Sequence, residues 1–375
     1  MITMGQEDMP AADVEQTLDQ RSKPRRKTRA VRAGNLIIGG GFPISVQTMW
    51  KEPLAKESLA RVREEIESLS LRGCDIIRFA VPDIESADLL GVLSRISPLP
   101  IVADIHFDHR IALRCLDYPI AKIRINPGTI GEEGNVREVV AKARDSGASL
   151  RIGINAGSLP KSLENVKDQA KAMFEASEIE MNVLERLGFH DVVFSLKSSD
   201  TESTIRANIL FAQAYDYPLH IGITEAGPLV PGIVRSTIGV SALLNRGIGE
   251  TIRISLSTDP LQEVITGVEI LKALNQRGTG LAIISCPTCG RSTFDVKGFL
   301  DEVLNGIHYQ GPGITVAIMG CMVNGPGEAR QADIGITGAG KMAVIFRKGE
   351  IVRRVSYEDS ITAFQEELRA ACKNE

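Results

Sequence analysis

The chain has 375 residues, 43% of them hydrophobic, a formal net charge of −4 and six cysteines without regular pairing. That length and apolar share support two full cores, while the charge argues against general nucleic-acid affinity and the cysteines against a disulfide-built scaffold. No apolar stretch reaches the length of a membrane span, so a cytoplasmic protein that binds neither membrane nor nucleic acid is expected.

Residues 1–33 mix acids with the basic run Lys23-Pro-Arg-Arg-Lys27. They lack the apolar centre of a secretion signal, and their composition predicts a disordered, solvated tail. From about residue 42 to 275, short β-branched runs alternate with helical patterns. Strands are predicted at 44–49, 75–79, 100–104, 121–125, 149–154, 191–195, 219–223 and 251–255, with helical patterns including 56–71, 136–146, 162–187 and 203–215. This α/β alternation predicts an N-terminal (β/α)8 TIM barrel over residues 34–276. No Gly-x-Gly-x-x-Gly follows the first strand, which leaves a dinucleotide-binding sheet without its fingerprint.

Alternation along these strands places Lys122, Arg124 and Asn126 on one face and Ile123 and Ile125 on the other. Arg151, Gly153 and Asn155 repeat the pattern, and Ser195 with Lys197, Arg253 with Ser255, Arg78, and Asp104 with His106 fall at other strand ends. In a barrel the apolar alternates face the helices, so the polar set points into the lumen near its mouth. A structural core would hold Val, Ile and Leu there, because buried unpaired cations are costly. Arg78, Lys122, Arg124, Arg151, Lys197 and Arg253 converging on one mouth therefore predict a multiply charged anionic ligand, which arginine forks suit when it carries phosphate. Glu225 lies just past the seventh strand, where barrel enzymes keep catalytic groups. His106 divides evenly between a catalytic and a structural role, whereas His109, His190 and His220 read as structural.

The pattern changes after Gln276-Arg-Gly-Thr-Gly280, which reads as a linker into a small α+β domain at 281–375. Strands are predicted at 281–285, 314–319, 333–337, 342–346 and 351–355, with helices at 293–304 and 358–371. Cys286-Pro-Thr-Cys289 follows the first of these strands and Cys321 follows the second. Three thiols are one ligand short of the four usual for a cubane iron–sulfur cluster, and Glu328, reached through Gly325-Pro-Gly327, is the candidate fourth. A Cys3His zinc site using His308 is the competing reading. The distant third thiol is unlike a compact zinc ribbon, which puts the cluster ahead. Cys74, Cys115 and Cys372 read as ordinary buried or surface residues.

Five of these segments, in order, resemble bacterial 4-hydroxy-3-methylbut-2-enyl diphosphate synthase. They are Lys122-Ile-Arg-Ile-Asn-Pro-Gly128, Arg151-Ile-Gly-Ile-Asn-Ala-Gly157, His220-Ile-Gly-Ile-Thr-Glu-Ala-Gly227, Cys286-Pro-Thr-Cys-Gly-Arg291 and Met319-Gly-Cys-Met-Val-Asn-Gly-Pro-Gly-Glu328. The likeness runs from about Val31 to the C-terminus. It implies reductive opening of 2-C-methyl-D-erythritol 2,4-cyclodiphosphate in the non-mevalonate isoprenoid pathway, with flavodoxin or ferredoxin as electron donor. It implies a [4Fe–4S] cluster on Cys286, Cys289, Cys321 and Glu328. Arg78, Arg124, Asn126, Arg151, Asn155, Ser195, Lys197, Arg253 and Ser255 would hold the diphosphate. Asp104, His106 and Glu225 would contact the carbon skeleton and manage protons. A homodimer with composite active sites is expected, since a linker so short would poorly carry the small domain over its own barrel mouth. The runner-up from the residues alone is a zinc-stabilised TIM-barrel aldolase or isomerase acting on a phosphorylated small molecule.

Overall fold

The computed structural model describes residues 23–125, 133–163, 166–304, 309, 311–323 and 325–373. The chain divides into two compact units, one ending at Gln276 and the other beginning at Arg277.

The larger unit opens with an antiparallel hairpin of β1 (Ala30–Ala33) and β2 (Leu36–Gly39). Strands and helices then alternate: β3 (Ser45–Met49), α1 (Leu59–Leu71), β4 (Ile76–Ala80), α2 (Ile84–Ser94), β5 (Ile101–Asp104), α3 (His109–Cys115), β6 (Lys122–Ile125) and α4 (Glu133–Ser146). They continue through β7 (Ser149–Asn155), α5 (Gln169–Arg186), β8 (Val192–Lys197), α6 (Thr201–Ala214), β9 (His220–Ile221), α7 (Leu229–Leu244), β10 (Thr251–Ile252) and α8 (Pro260–Ala273). The eight strands β3–β10 form one sheet in the order β8-β7-β6-β5-β4-β3-β10-β9, every pair parallel. A parallel bridge from Phe194 in β8 to Leu219 beside β9 joins the two ends, so the sheet closes into the expected TIM barrel.

Local chemistry fixes where the helices begin. The side chains of Asp83, Asp108, Asp168, Asp200 and Asp259 each accept a hydrogen bond from a backbone N–H in the turn that follows. The cap at Asp168 explains why α5 starts at Gln169 rather than near residue 162. Along each strand one set of alternates packs against the helices: Ile77 and Phe79, Ile123 and Ile125, Leu150 and Ile152, Phe194 and Leu196 all belong to that shell. The other set points into the lumen. At the N-terminal end of the barrel, Val31, Ala33 and Ile38 of the hairpin pack with Ile76, Val102 and Val193, giving the lumen an apolar floor.

Two expectations need correction. The tail predicted through residue 33 is not solvated over Lys23–Ala33. Backbone N–H groups of Lys23, Arg26 and Arg29 donate to the carbonyls of Asn245, Gly247 and Asp216 at 3.0, 3.0 and 2.9 Å. Arg26 also reaches the buried Glu250 at 3.3 Å, and the Arg29 guanidinium lies 4.1 Å from the Tyr217 ring centre. Within the basic run the Arg25 and Arg26 side chains bond carbonyl oxygens and Glu250 of the barrel, while Lys23 and Lys27 are exposed. Residues 1–22 lie outside the described residues. Likewise, Gly278–Gly280 is not a free linker: Gly280 N–H donates to Gly311 and Gly313 N–H to Gly278, and Thr279 bridges Pro312, all within the smaller unit.

That smaller unit carries β11 (Leu281–Ser285), α9 (Val296–Leu304), β12 (Ile314–Met319), α10 (Gly325–Gln331), β13 (Ile334–Ala339), β14 (Met342–Arg347), β15 (Glu350–Ser356) and α11 (Ser360–Lys373). Its five strands lie in sequence order, with β11, β12 and β13 parallel and β14 and β15 added antiparallel. Phe299 of α9 and Phe364 of α11 meet edge to face at 5.4 Å in its core.

Candidate active site

The barrel lumen above its apolar floor is lined by charge. Register brings Asp104 of β5 beside Arg124 of β6, and Arg124 beside Arg151 of β7. Arg78, Asp104, Arg124, Arg151 and Lys197 are all buried, and Arg253 is half-buried. The single buried carboxylate in this group, Asp104, accepts from Arg124 at 3.0 Å, lies 3.5 Å from Arg78, and has His106 3.4 Å away. Burial works to raise the Asp104 carboxyl, but Arg78, the His106 hydrogen bond, Arg124 and Arg151 outweigh it and hold the group far below the usual carboxylate range. Asp104 thus faces Arg78, Arg124 and Arg151 together.

The imbalance shows on the cations. Burial, followed by mutual repulsion, pushes Arg151 and Lys197 well below their ordinary values. Arg78 comes down to about 10, through burial first and the neighbouring Arg253 and Arg124 charges, against the pull of Asp104. Among the described residues Arg151 Nε and Nη1, Arg124 Nε and Arg253 Nε are buried without a hydrogen-bond acceptor. Buried donors are normally satisfied, and a buried charge lacking a partner costs several kcal/mol. Donors left open side by side in this way are arranged to receive an anion.

Small residues make the space. A Cβ added at Gly153 would stand 2.6 Å from Arg124 Nε, so the Arg124 guanidinium lies across the bare β7 backbone. At Gly222, where φ is +155°, an added Cβ would lie 2.2 Å from the Arg253 carbonyl and 3.1 Å from Lys197 Nζ.

Most of the sequence-predicted residues meet here. Ser195 is buried in the lumen wall, and Asn155 lies level with Lys197 in the β7–β8 register. His106 is 45% exposed at the rim, yet it contacts Asp104 and Arg124. Ser255 is half-buried just beyond β10. Lys122 was grouped with the mouth cations but lies a layer deeper: it pairs in register with Val102 of the floor and Ser149, and it is fully buried. Glu225 is exposed on the loop after β9, with a left-handed φ of +51°. Asn126 falls outside the described residues.

Sequence reasoning missed three lumen or sub-lumen groups. His220, read as structural, is fully buried with Nε2 unpartnered among the described residues, and its ring is held well below the ordinary histidine value by burial and by Lys197, Arg151, Lys122 and Arg78. Gln47 on β3 has both amide atoms buried without partners. Strand alternation would have found both. Glu263, on α8, is buried too, and nothing in its local sequence marks it. Of the other histidines read as structural, His109 lies 3.7 Å from Glu138 and His190 lies 3.1 Å from the Tyr217 hydroxyl. Burial pushes the Cys115 thiol up to about 12, as befits a core cysteine.

In the smaller unit the thiols sit where two adjacent parallel strands end. Cys286 follows β11 and its N–H donates to Ile318 of β12 at 2.9 Å; Cys321 follows β12 by two residues. The two thiol loops are stitched together, Thr293 N–H donating to Gly320 at 2.9 Å and the Thr337 hydroxyl to Cys321 O at 2.9 Å. Thr288, in the left-handed region at φ +63°, directs its N–H to Cys286 Sγ at 3.4 Å. Cys286, Cys289 and Cys321 are free thiols, the second exposed and the others half-buried. Glu328 is half-buried in the first turn of α10. These groups are soft, accessible and reached by a backbone donor, which fits an iron–sulfur ligand set. Among the described residues, however, no three His, Cys, Asp or Glu side chains are gathered closely enough to hold a metal ion. His308, the fourth ligand of the zinc alternative, lies outside the described residues.

Residues 28–268 match the GcpE TIM-barrel domain, and residues 282–370 match the GcpE protein C-terminal domain. The chain belongs to the GcpE family. A relative from Treponema pallidum named 4-hydroxy-3-methylbut-2-en-1-yl diphosphate synthase (flavodoxin) is 45% identical, with 94% of this chain and 95% of its own length covered. Relatives of the same name from Geobacter sulfurreducens and Thermodesulfovibrio yellowstonii are 46% and 45% identical, each over 92% of this chain and 98% and 99% of their own lengths. Among the described residues of this GcpE chain no helix is long and apolar enough to cross a membrane.

Proposed function

We propose that this chain converts 2-C-methyl-D-erythritol 2,4-cyclodiphosphate to 4-hydroxy-3-methylbut-2-enyl diphosphate, the product its relatives are named for. The observation that carries the reading is the lumen, where, among the described residues, Arg124 and Arg151 keep buried donors unpaired beside Asp104 and Arg253 keeps a buried Nε unpaired. In balance, two electrons enter, the C–O bond at the tertiary carbon breaks, the neighbouring hydroxyl leaves as water after taking a proton, and a C=C bond forms.

The residues divide this work. Arg78, Arg124, Arg151, Lys197 and Arg253, with Asn126, Asn155, Ser195 and Ser255, hold the diphosphate and stabilise the phosphate oxygen released when the ring opens. Asp104 orients Arg124 and His106. His106 and Glu225, both exposed at the rim, are placed to hand a proton to the leaving hydroxyl, Glu225 being the favoured donor. Cys286, Cys289, Cys321 and Glu328 would hold a [4Fe–4S] cluster, which supplies electrons one at a time when bound. The carboxylate is the weaker, exchangeable ligand. Flavodoxin is the donor named in the relatives, and a zinc aldolase would have no use for one.

The visible spectrum of anaerobically purified protein tests the cofactor: a broad brown band is expected, and colourless protein with one zinc would favour the aldolase. We further propose a homodimer whose active sites draw barrel and cluster from different chains. Mixing the inactive variants Cys321→Ser and Lys197→Ala under subunit exchange then restores activity; mixed dimers without activity would mean that each chain works alone.

A further inference from the structure

At the C-terminal ends of β3, β4 and β10 runs an open cleft of about 640 Å³, walled by Met49, Trp50, Lys51, Arg253, Leu256 and Thr258 among others. Three of these residues converge on one buried group. Glu263, whose side chain is 0% exposed, reaches from the first turn of α8 to the backs of β3 and β10. Its Oε1 accepts from the Leu256 N–H at 3.0 Å and from Arg253 Nη2 at 3.4 Å, and forms an ion pair with Lys51 Nζ at 3.0 Å. Its Oε2 accepts from the Thr48 hydroxyl at 2.8 Å.

The two cations it meets are used differently. Lys51 also donates to the carbonyls of Leu256, at 2.7 Å, and Thr258, so it is tied to the β10 loop as well as to the acid and acts as a strut. Arg253 gives Glu263 a single Nη2 contact, while its Nε is buried and unpartnered among the described residues. A guanidinium is planar, so anchoring one nitrogen on a fixed carboxylate sets the direction of the remaining donors. Without that anchor, Arg253 would be free to swing away from the repelling charges of Arg78 and Arg151, with which it interacts.

We propose that Glu263 is a positioning residue for the anion site, holding Arg253 from beneath so that its free donors face the charged end of the substrate. The proposal rests on the reading of Arg253 as a diphosphate ligand. Anchoring acts on ground state and transition state alike, so its loss appears in KM more than in kcat.

A double-mutant cycle on the cluster-loaded enzyme tests it, with KM and kcat for the cyclic diphosphate as readouts. Glu263→Gln keeps the shape and an acceptor oxygen but removes the charge. It should raise KM on the order of tenfold with little change in kcat. Arg253→Met should raise KM further, and the double variant should match Arg253→Met within about twofold, because Glu263 then has nothing left to position. Effects that multiply, or a normal KM in Glu263→Gln, overturn the proposal while leaving Arg253 a ligand. A normal KM in Arg253→Met removes Arg253 from the site and the proposal with it. Should Glu263→Gln fail to fold, Thr48→Val loosens the same carboxylate by one hydrogen bond. A smaller rise in KM that disappears in the Arg253→Met background then supports the proposal, and its persistence there overturns it.

Discussion

In the barrel, Arg151 and Lys197 are locked into strands, buried and crowded against other cations before any ligand arrives. In the smaller unit, Cys286, Cys289 and Cys321 lie on loops, half-buried or exposed and not drawn together. The difference follows from how each site meets its cost. Covalent strand geometry and an apolar shell can force like charges together and leave the ligand to neutralise them. Thiolates brought to one point would repel just as strongly, and these sit on loops past the strand ends, so the proposed cluster would supply their final arrangement. On the proposed reading, the barrel site is made by folding and the cysteine site would be completed by loading.

If so, damage should stay confined to one side. The largest effect is expected from Cys289→Ser: loss of iron and of essentially all activity, with thermal unfolding of the barrel and its affinity for the cyclic diphosphate unchanged. Collapse of that affinity would show that the two sites are not independent. Glu328→Ala should keep labile iron and little turnover, and full activity there would remove Glu328 from the ligand set.

A middle-sized effect sharpens the barrel side. Gly153→Ala places a methyl 2.6 Å from Arg124 Nε, so the guanidinium must shift within a rigid lumen. Binding of the diphosphate should weaken on the order of tenfold, since small displacements of a positioning group are costly, while the iron content stays normal. Unaltered binding would mean that Arg124 does not touch the ligand.

The smallest effect concerns stability. Burial, then Arg151 and Arg78, push the Lys122 ammonium down to about 7 from an ordinary value near 10.4. The register neighbours Val102 and Ser149 offer it no charge, and the charged or titratable groups acting on it are Arg78, Arg151 and His220. Between those two values the unfolded chain holds a proton that the folded chain lacks, so stability rises with pH across the window and is lowest at its acid end. Lys122→Met removes this cost. Thermal melts of the substrate-free protein should show a higher Tm at about pH 7, by a few degrees, and a flatter rise toward about pH 9. A wild-type slope in the variant would assign the linkage to another group.

Much of the barrel was legible because a strand's alternation is rigid: once Ile123 and Ile125 face the helices, Lys122 and Arg124 must face the lumen. That Lys122 lies deepest in its strand was legible from its order before Arg124, but its place beside the floor was not, since that stagger depends on pairing between strands. Arg26 and Glu250 are 224 residues apart, so nothing near the basic run reveals its acid. Glu263 was hidden for a different reason. On a helix that also carries the exposed Glu269, a glutamate reads as surface until the packing of α8 on β3 shows otherwise. The cysteines were legible in type and spacing, whereas among the described residues their side chains are not gathered.

The hairpin of β1 and β2 has a kinetic corollary. By sealing the floor with Val31, Ala33 and Ile38 it turns the lumen into a cul-de-sac with a single doorway. A charged product must leave along the route its precursor took, past the same arginines, and both carry a diphosphate. Product and substrate therefore exclude one another, and turnover will slow as product accumulates unless something downstream carries it away.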